Sequence, residues 1–290
     1  MRKLSVLARK LESLASIPLG AAFSGTVDKH RLSGDSFARM ADLALYRKSP
    51  IRTSHLDLRD VRIVFIANHD VERFVDEYIN VLRPKVLIIG DGDRDWPSFE
   101  FPELAFVKRI FLQNSSIPND YRFRCLPIGL ENRKYGRNGM PYNFCEFYAK
   151  RVKTSGVFMG PLGNTHPIRE QLVHLELAKL DNFERIDERI SSVEFAARSS
   201  RWSHVLSPRG NGKDTHRFWE TLYRGSIPVV TDDQWSRNIS SYGIPLETVT
   251  EWTTSEIERV ASSPKAMPRV PESIPALWKS FWIEQIKEVC

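Results

Sequence analysis

Hydrophobic and polar positions run through this chain as two rounds of one theme, a short apolar run followed by a helical stripe. Val61–Asn68 (VRIVFIAN) is a β-branched run of the kind buried on both faces of a sheet. The next stretch carries Val71, Phe74, Val75, Tyr78, Ile79 and Leu82 at helical spacing, and Pro84 stops it. Lys85–Asp93 predicts a second buried strand, 106–114 another ending at Asn114, and 123–132 a further short one. Strand, helix and strand in this order imply a parallel sheet with crossovers, an α/β layer.

A polar stretch from Asn132 to Thr154 reads as the connection between domains, after which the theme restarts. Gly156–Gly160 predicts a strand, a helix follows from near Ile168, and another ends over Phe195–Ser200. A strand then ends near Ser207, a Gly-rich loop leads into a helix closed by Gly225, and Ile227–Asp232 predicts the next strand. In the tail, Leu277, Phe281 and Ile286 share one face, predicting a last helix folded back on the body. The expected units are a basic arm at 1–53, an N-terminal domain at 54–150, a C-terminal domain at 151–275 and a closing helix at 276–290.

The length of 290 residues suits about two domains. With 41% apolar and 27% charged residues, disordered and low-complexity classes are excluded. No apolar run approaches the roughly 18 residues of a membrane-spanning helix. Three scattered cysteines without C-x-x-C spacing argue against a disulfide framework or a Cys-rich zinc site, and for a reducing, cytoplasmic setting. The whole net charge of +6 sits in residues 1–53, which hold ten Lys/Arg against four acids; the remainder is neutral. Such a distribution is not the basic groove of a nucleic-acid enzyme. Within the arm, Leu4, Leu7, Leu11 and Leu14 form an apolar stripe beside Arg2, Lys3, Arg9 and Lys10. A stripe of this type over residues 1–16 either lies on an anionic membrane surface, at its inner face, or packs on the protein.

The chemistry concentrates in SPRGNGKDTHRFWETLYRGSIPVVTDD, residues 207–233. Ligands of an open parallel sheet bind where loops leave the C-terminal ends of strands. Here Gly210 and Gly212 allow close backbone approach, Asp214 or Thr215 can cap the following helix, and Arg217 lies in its first turn. Helix N–H groups and a guanidinium fork suit a diphosphate. Glu220, three residues beyond Arg217, suits the ribose diol of a nucleotide. The segment is neither a P-loop nor a dinucleotide fingerprint, because Ser207, Asp214 and Thr215 stand where those motifs need other residues.

Pro208-Arg209-Gly210, Arg217 with Glu220, and Gly225-Ser226-Ile227-Pro228-Val229 resemble the C-terminal signature of exostosin-like glycosyltransferases and their bacterial relatives. GVFMGPLGNTHPIR at 156–169 is similar to the turn opening the same domain, and IFLQN and LPIGLEN match more loosely. The resemblance spans roughly residues 60–250. It implies a GT-B fold, two Rossmann-like parallel-sheet domains with a cleft between them. It also implies inverting, metal-independent transfer of a sugar from a nucleotide-diphosphate sugar to a glycan or lipid-linked saccharide acceptor in surface polysaccharide synthesis, with no cofactor beyond the donor. By position, Arg209, Gly210, Asn211, Gly212, Asp214, Thr215 and Arg217 are expected at the diphosphate, Glu220 at the ribose and Arg169 at the leaving group. The base belongs to the N-terminal half, where Asp93 is preferred over Asp91, His69 and Asp70, and Asn114 and Glu131 are acceptor-side candidates.

Two alternatives stay open. Asp91-Gly92-Asp93 is also a D-x-D at a strand end, the metal-binding signature of GT-A transferases. A nucleotide-sugar or glycan-binding module without catalysis would retain Arg217 and Glu220 equally well.

Overall fold

The computed structural model describes residues 31–46, 49–52, 60–79, 81–132, 138–177, 180–264 and 271–290. The stripe expected over 1–16 lies outside them. The strands are β1 (Leu43–Tyr46), β2 (Ser49–Arg52), β3 (Ile63–Ala67), β4 (Val86–Gly90), β5 (Arg109–Gln113), β6 (Phe123–Leu126), β7 (Thr154–Met159), β8 (Phe183–Arg185), β9 (Trp202–Leu206), β10 (Ile227–Thr231) and β11 (Glu247–Val249). The helices are α1 (Gly34–Ala38), α2 (Val71–Glu77), α3 (Glu146–Lys150), α4 (Pro167–His174), α5 (Ser192–Ser199), α6 (His216–Tyr223), α7 (Gln234–Ser240), α8 (Thr254–Ala261) and α9 (Lys279–Lys287).

Two sheets result. The first has the order β2-β1-β3-β4-β5-β6 and is parallel except for the β1–β2 hairpin at its edge. Every residue of β3, β4 and β5 is buried, and alternate side chains enter different cores. Val64, Ile66, Leu87, Ile89, Ile110 and Leu112 pack with Val71 and Phe74 of α2. Ile63, Phe65, Val86, Ile88 and Phe111 meet Phe37 of α1 and Trp282 and Ile286 of α9. The last helix thus covers a face of the first sheet. Arg109 Nη1 fixes it there by donating to Gln285 O (3.0 Å) and Glu288 Oε2 (2.6 Å). The sheet starts earlier than the pattern predicts, because β1 and β2 fall inside the stretch expected to be an arm.

The second sheet is wholly parallel, in the order β11-β10-β9-β7-β8. Its sequence order reverses between β7 and β9, which makes their C-terminal ends a topological switch point, the place where open α/β sheets bind ligands. The α/β architecture with two largely parallel sheets and a cleft between them is therefore present. A shared apolar cluster, including Cys125 and Leu130 from the first half and Phe218, Trp219 and Trp235 from the second, holds the halves together. Beside it the Asn238 Nδ2 amide donates to Ile117 O (2.8 Å), and Asn238 Oδ1 accepts from Asn119 N (3.1 Å). No helix among the described residues is long and apolar enough to cross a membrane.

Candidate active site

The Gly-rich loop 207–215 leaves β9 at the switch point and delivers the chain to α6. It folds on itself, with Gly210 N donating to Gly212 O (3.1 Å). A Cβ at Gly212 would lie 2.8 Å from the Asn114 carboxamide, so only glycine passes there without displacement. Thr215 is the N-cap of α6 in extended conformation (φ −130°, ψ 146°), yet its side chain makes no cap hydrogen bond. Its Oγ1 is buried without a partner.

In the first turn of α6, Arg217 Nη2 donates to Pro161 O (2.6 Å), while its Nη1 is buried and unpartnered. The guanidinium carbon lies 5.3 Å from the Phe195 ring centroid. Arg169, from the first turn of α4, braces the loop from beneath: Nε donates to Arg209 O (2.8 Å) and Nη2 to Pro208 O (3.2 Å). Burial, then the neighbouring charge of Arg169, lowers the Arg217 pKa to about 10, with Arg224 adding to the effect and Glu220 opposing it. Burial also lowers that of Arg169. At about 10 the Arg217 guanidinium stays cationic at neutral pH, and it lacks a full complement of acceptors.

These groups line a cleft of about 930 Å³. Thr165 and Arg169 bring the N-terminal end of α4 to it, Ser191 and Ser192 that of α5, and Thr215 and His216 that of α6. Three positive helix ends and the guanidiniums of Arg169, Arg189 and Arg217 make the cleft a site for an anion. Across it, the first half contributes Asp93, Ile128 and Asn138.

The sequence-expected residues divide as follows. Gly210, Asn211, Gly212, Thr215, Arg217, Arg169, Glu220 and Asp93 all line the cleft. Asp93 Oδ2 accepts from Asn211 Nδ2 (3.3 Å) across it. Glu220 is only 4% exposed, and its Oε2 lies 3.5 Å from Arg224 Nη1, so its carboxylate serves a buried ion pair.

Asp214 is a correction. It lines the cleft, but its oxygens accept from Ile128 N and Trp219 Nε1, both at 2.7 Å, which leaves a structural carboxylate rather than a donor ligand. Arg209 is another: its Nη2 donates to Asp95 Oδ2 (3.1 Å) and to Asn211 O (3.0 Å), spanning the halves outside the cleft lining.

Asn114 cannot meet an acceptor, because it is fully buried, with Oδ1 accepting from Asp214 N (2.8 Å) and Nδ2 donating to Gly92 O (3.1 Å). It adopts positive φ (59°) to do so. Glu131 faces a different cavity, and its Oε2 accepts from Asn138 N (3.0 Å). His69 and Asp70 pair with each other at 3.4 Å and do not line the cleft.

Asp91 and Asp93 diverge. Asp91, at positive φ (54°), lies near Gly34 and is not among the residues lining the cleft, whereas Asp93 lines it and meets Asn211. Among the described residues, no group of three His, Cys, Asp or Glu side chains is placed to hold a metal ion.

Pattern reading missed the α5 side of the cleft, formed by Arg189, Ser191, Ser192 and Phe195. A signal existed in Ser191-x-x-Glu194, the spacing of a helix start, where Ser191 Oγ does accept from Glu194 N (3.1 Å). His216 was also missed. Its Nδ1–H donates to the Gly129 carbonyl (2.8 Å), a bond that leaves Nε2 as the imidazole's acceptor atom when neutral.

No family model and no curated protein sequence matches the chain. Among solved structures, AviGT4, a glycosyltransferase involved in avilamycin A biosynthesis, is similar over 77% of this chain and 81% of its own, with 11% identity and a TM-score of 0.38. At that distance the functional reading rests on the side chains.

Proposed function

We propose that the cleft binds a nucleotide-diphosphate sugar and that the protein transfers the sugar to a glycan or lipid-linked saccharide acceptor, with inversion and without a metal. The observation that carries the reading is the pair of buried, unpartnered polar atoms Arg217 Nη1 and Thr215 Oγ1, on two residues that line the cleft at the α6 N-terminus just after the Gly210–Gly212 loop. Both atoms want acceptor oxygens, and a diphosphate supplies them.

In the proposed reaction the acceptor hydroxyl oxygen attacks the anomeric carbon while the bond from that carbon to the diphosphate oxygen breaks. The hydroxyl proton passes to a base, for which Asp93 is the N-terminal-half carboxylate on the cleft. Arg217, Arg169 and the helix ends stabilise the charge that grows on the leaving diphosphate. Glu220 reaches the ribose only if its bond to Arg224 is shared. The setting we propose is the cytoplasmic membrane face in surface polysaccharide synthesis, which the basic stripe at 1–16 supports by its charge.

The test is calorimetric titration with UDP, GDP and dTDP, followed by donor turnover with and without EDTA. Arg217→Ala is expected to weaken binding of the preferred nucleotide by about tenfold or more, with an unchanged circular dichroism spectrum. Full affinity in that variant removes the phosphate role. Turnover lost on EDTA favours the D-x-D, and binding without turnover favours a module.

A further inference from the structure

A second cavity, of about 430 Å³, lies behind the segment that separates it from the cleft: Ile128 faces the cleft, whereas Leu130 and Glu131 face the cavity. Its most unusual wall is Arg31, which is 6% exposed. Arg31 Nη2 donates to the Phe144 carbonyl, but Nε and Nη1 are buried without partners. The guanidinium carbon lies 5.3 Å from the Phe144 ring centroid and 5.6 Å from that of Tyr223. Two π faces steady a cation without satisfying its N–H groups.

Neighbouring arginines show how this fold ordinarily treats such a group. Arg224, also buried and 5.0 Å from the same Phe144 ring centroid, keeps one unpartnered nitrogen, Nη2, but has the Glu220 carboxylate at 3.5 Å. Arg109, also buried, has Glu288 at 2.6 Å. Arg31 has no ion pair among the described residues. Burial lowers its pKa to about 10, against the opposing pull of Tyr223, Glu272 and Cys145, so it remains charged at neutral pH. Arg217 in the cleft combines the same features, a half-satisfied buried guanidinium on the wall of a cavity.

The other charged groups of the second cavity are Arg39, which is exposed, with Lys279, Asp35 and Glu131. One acid is already engaged, since Glu131 accepts from Asn138 N. Buried donors without acceptors cost stability, and an oxyanion supplies what they lack.

We propose that the second cavity binds a small oxyanion, a phosphate or carboxylate group, on the Arg31 guanidinium, with Arg39 adding charge at the rim. The anion is either free in solution or the charged end of a larger molecule. The site does not depend on what the cleft binds.

The experiment uses the full chain carrying Arg217→Ala, so that the cleft loses its buried, unpartnered guanidinium N–H, and follows inorganic phosphate, methyl phosphate and acetate by calorimetry. Arg169→Gln is added as a further background to separate any anion still held in the cleft. One bound anion per chain is expected. Adding Arg39→Gln should weaken it severalfold, and adding Arg31→Lys, which keeps the charge but removes the fork, by about tenfold. Phosphate bound equally well to methyl phosphate marks a free anion, and a clear preference for the ester marks the end of a larger molecule. Absence of anion binding in the Arg217→Ala chain overturns the proposal. So does unchanged affinity in both added variants, each of which is milder than Arg31→Ala and leaves the aromatic stack in place.

Discussion

At the scale of single residues, the cleft depends on contacts between side chains about a hundred positions apart. Asn114 joins the turn after β4 to the Gly-rich loop, taking an N–H from Asp214 and giving one to Gly92. Asn68 and Gln113 give amide N–H groups to the same Gly92 carbonyl, both at 3.0 Å. Three carboxamides on one carbonyl fix the turn that carries Asp93, and with it the distance from Asp93 to the loop. Gly212 is the least tolerant point of this assembly, because a methyl group there would meet Asn114 at 2.8 Å and Asn114 has no freedom to retreat. Gly163, in contrast, has nothing within 4 Å of a Cβ. Gly212→Ala is therefore expected to cost about 1–3 kcal/mol in urea unfolding, whereas Gly163→Ala leaves stability near the wild type. Equal unfolding midpoints for the two variants would contradict this account of the loop.

At the scale of elements, helix ends carry both function and stability. The N-terminal ends of α4, α5 and α6 open on the cleft, and the opposite ends have their own arrangement. Lys153 Nζ donates to Tyr148 O in α3 (2.8 Å), to Ser200 O after α5 (2.8 Å) and to Arg224 O after α6 (2.7 Å). One ammonium thus satisfies three carbonyls that helix geometry leaves without partners. Lys153→Met keeps the aliphatic stem and removes all three bonds, and is expected to lower stability by roughly 3 kcal/mol with little effect on nucleotide affinity. A loss confined to nucleotide binding, with an unshifted thermal midpoint, would argue against it. None of this was legible in the sequence, where Lys153 is one cation among many. The buried strands were legible, because β3, β4, β5, β7, β9 and β10 are short apolar runs between turn residues, and so was the loop with its helix. The β1–β2 hairpin was hidden because it is only four residues a side and sits among basic residues. In the sequence Asn114 and Asp214 look like ligands, because polar residues in the loops that follow strands look alike until tertiary packing shows which face a neighbour. The switch point was equally invisible, since strand order is a property of pairing rather than of local pattern.

At the scale of the whole molecule, the two halves meet on Asp214, which takes an N–H from Ile128 of the first half and one from Trp219 of the second. Burial raises its pKa from 3.8 to about 7, outweighing the hydrogen bonds from Ile128, Trp219 and Thr215 that favour the anion. The sign of the consequence follows from proton counting. Below about pH 4 the carboxyl is protonated whether the chain is folded or unfolded. Between about 4 and 7 the unfolded chain releases this proton and the folded chain keeps it, so stability falls as pH rises through that window. Above about 7 both forms are ionised and the loss is complete. Lys153 complicates the absolute curve. Burial, Arg151 and Arg224 lower its pKa to about 7, so its contribution runs the other way, rising with pH above that value. The comparison that isolates Asp214 is with Asp214→Asn, which has the same shape and no titration. Asn is the weaker partner at any pH, because its Nδ2 turns a donor toward one of two N–H groups that need acceptors. Urea unfolding at pH 5 and pH 8 should show the wild type ahead of the variant by a wider margin at pH 5. A margin that stays constant or grows toward pH 8 would mean that Asp214 is ionised throughout, and that the junction of the halves holds a permanent buried anion balanced from elsewhere.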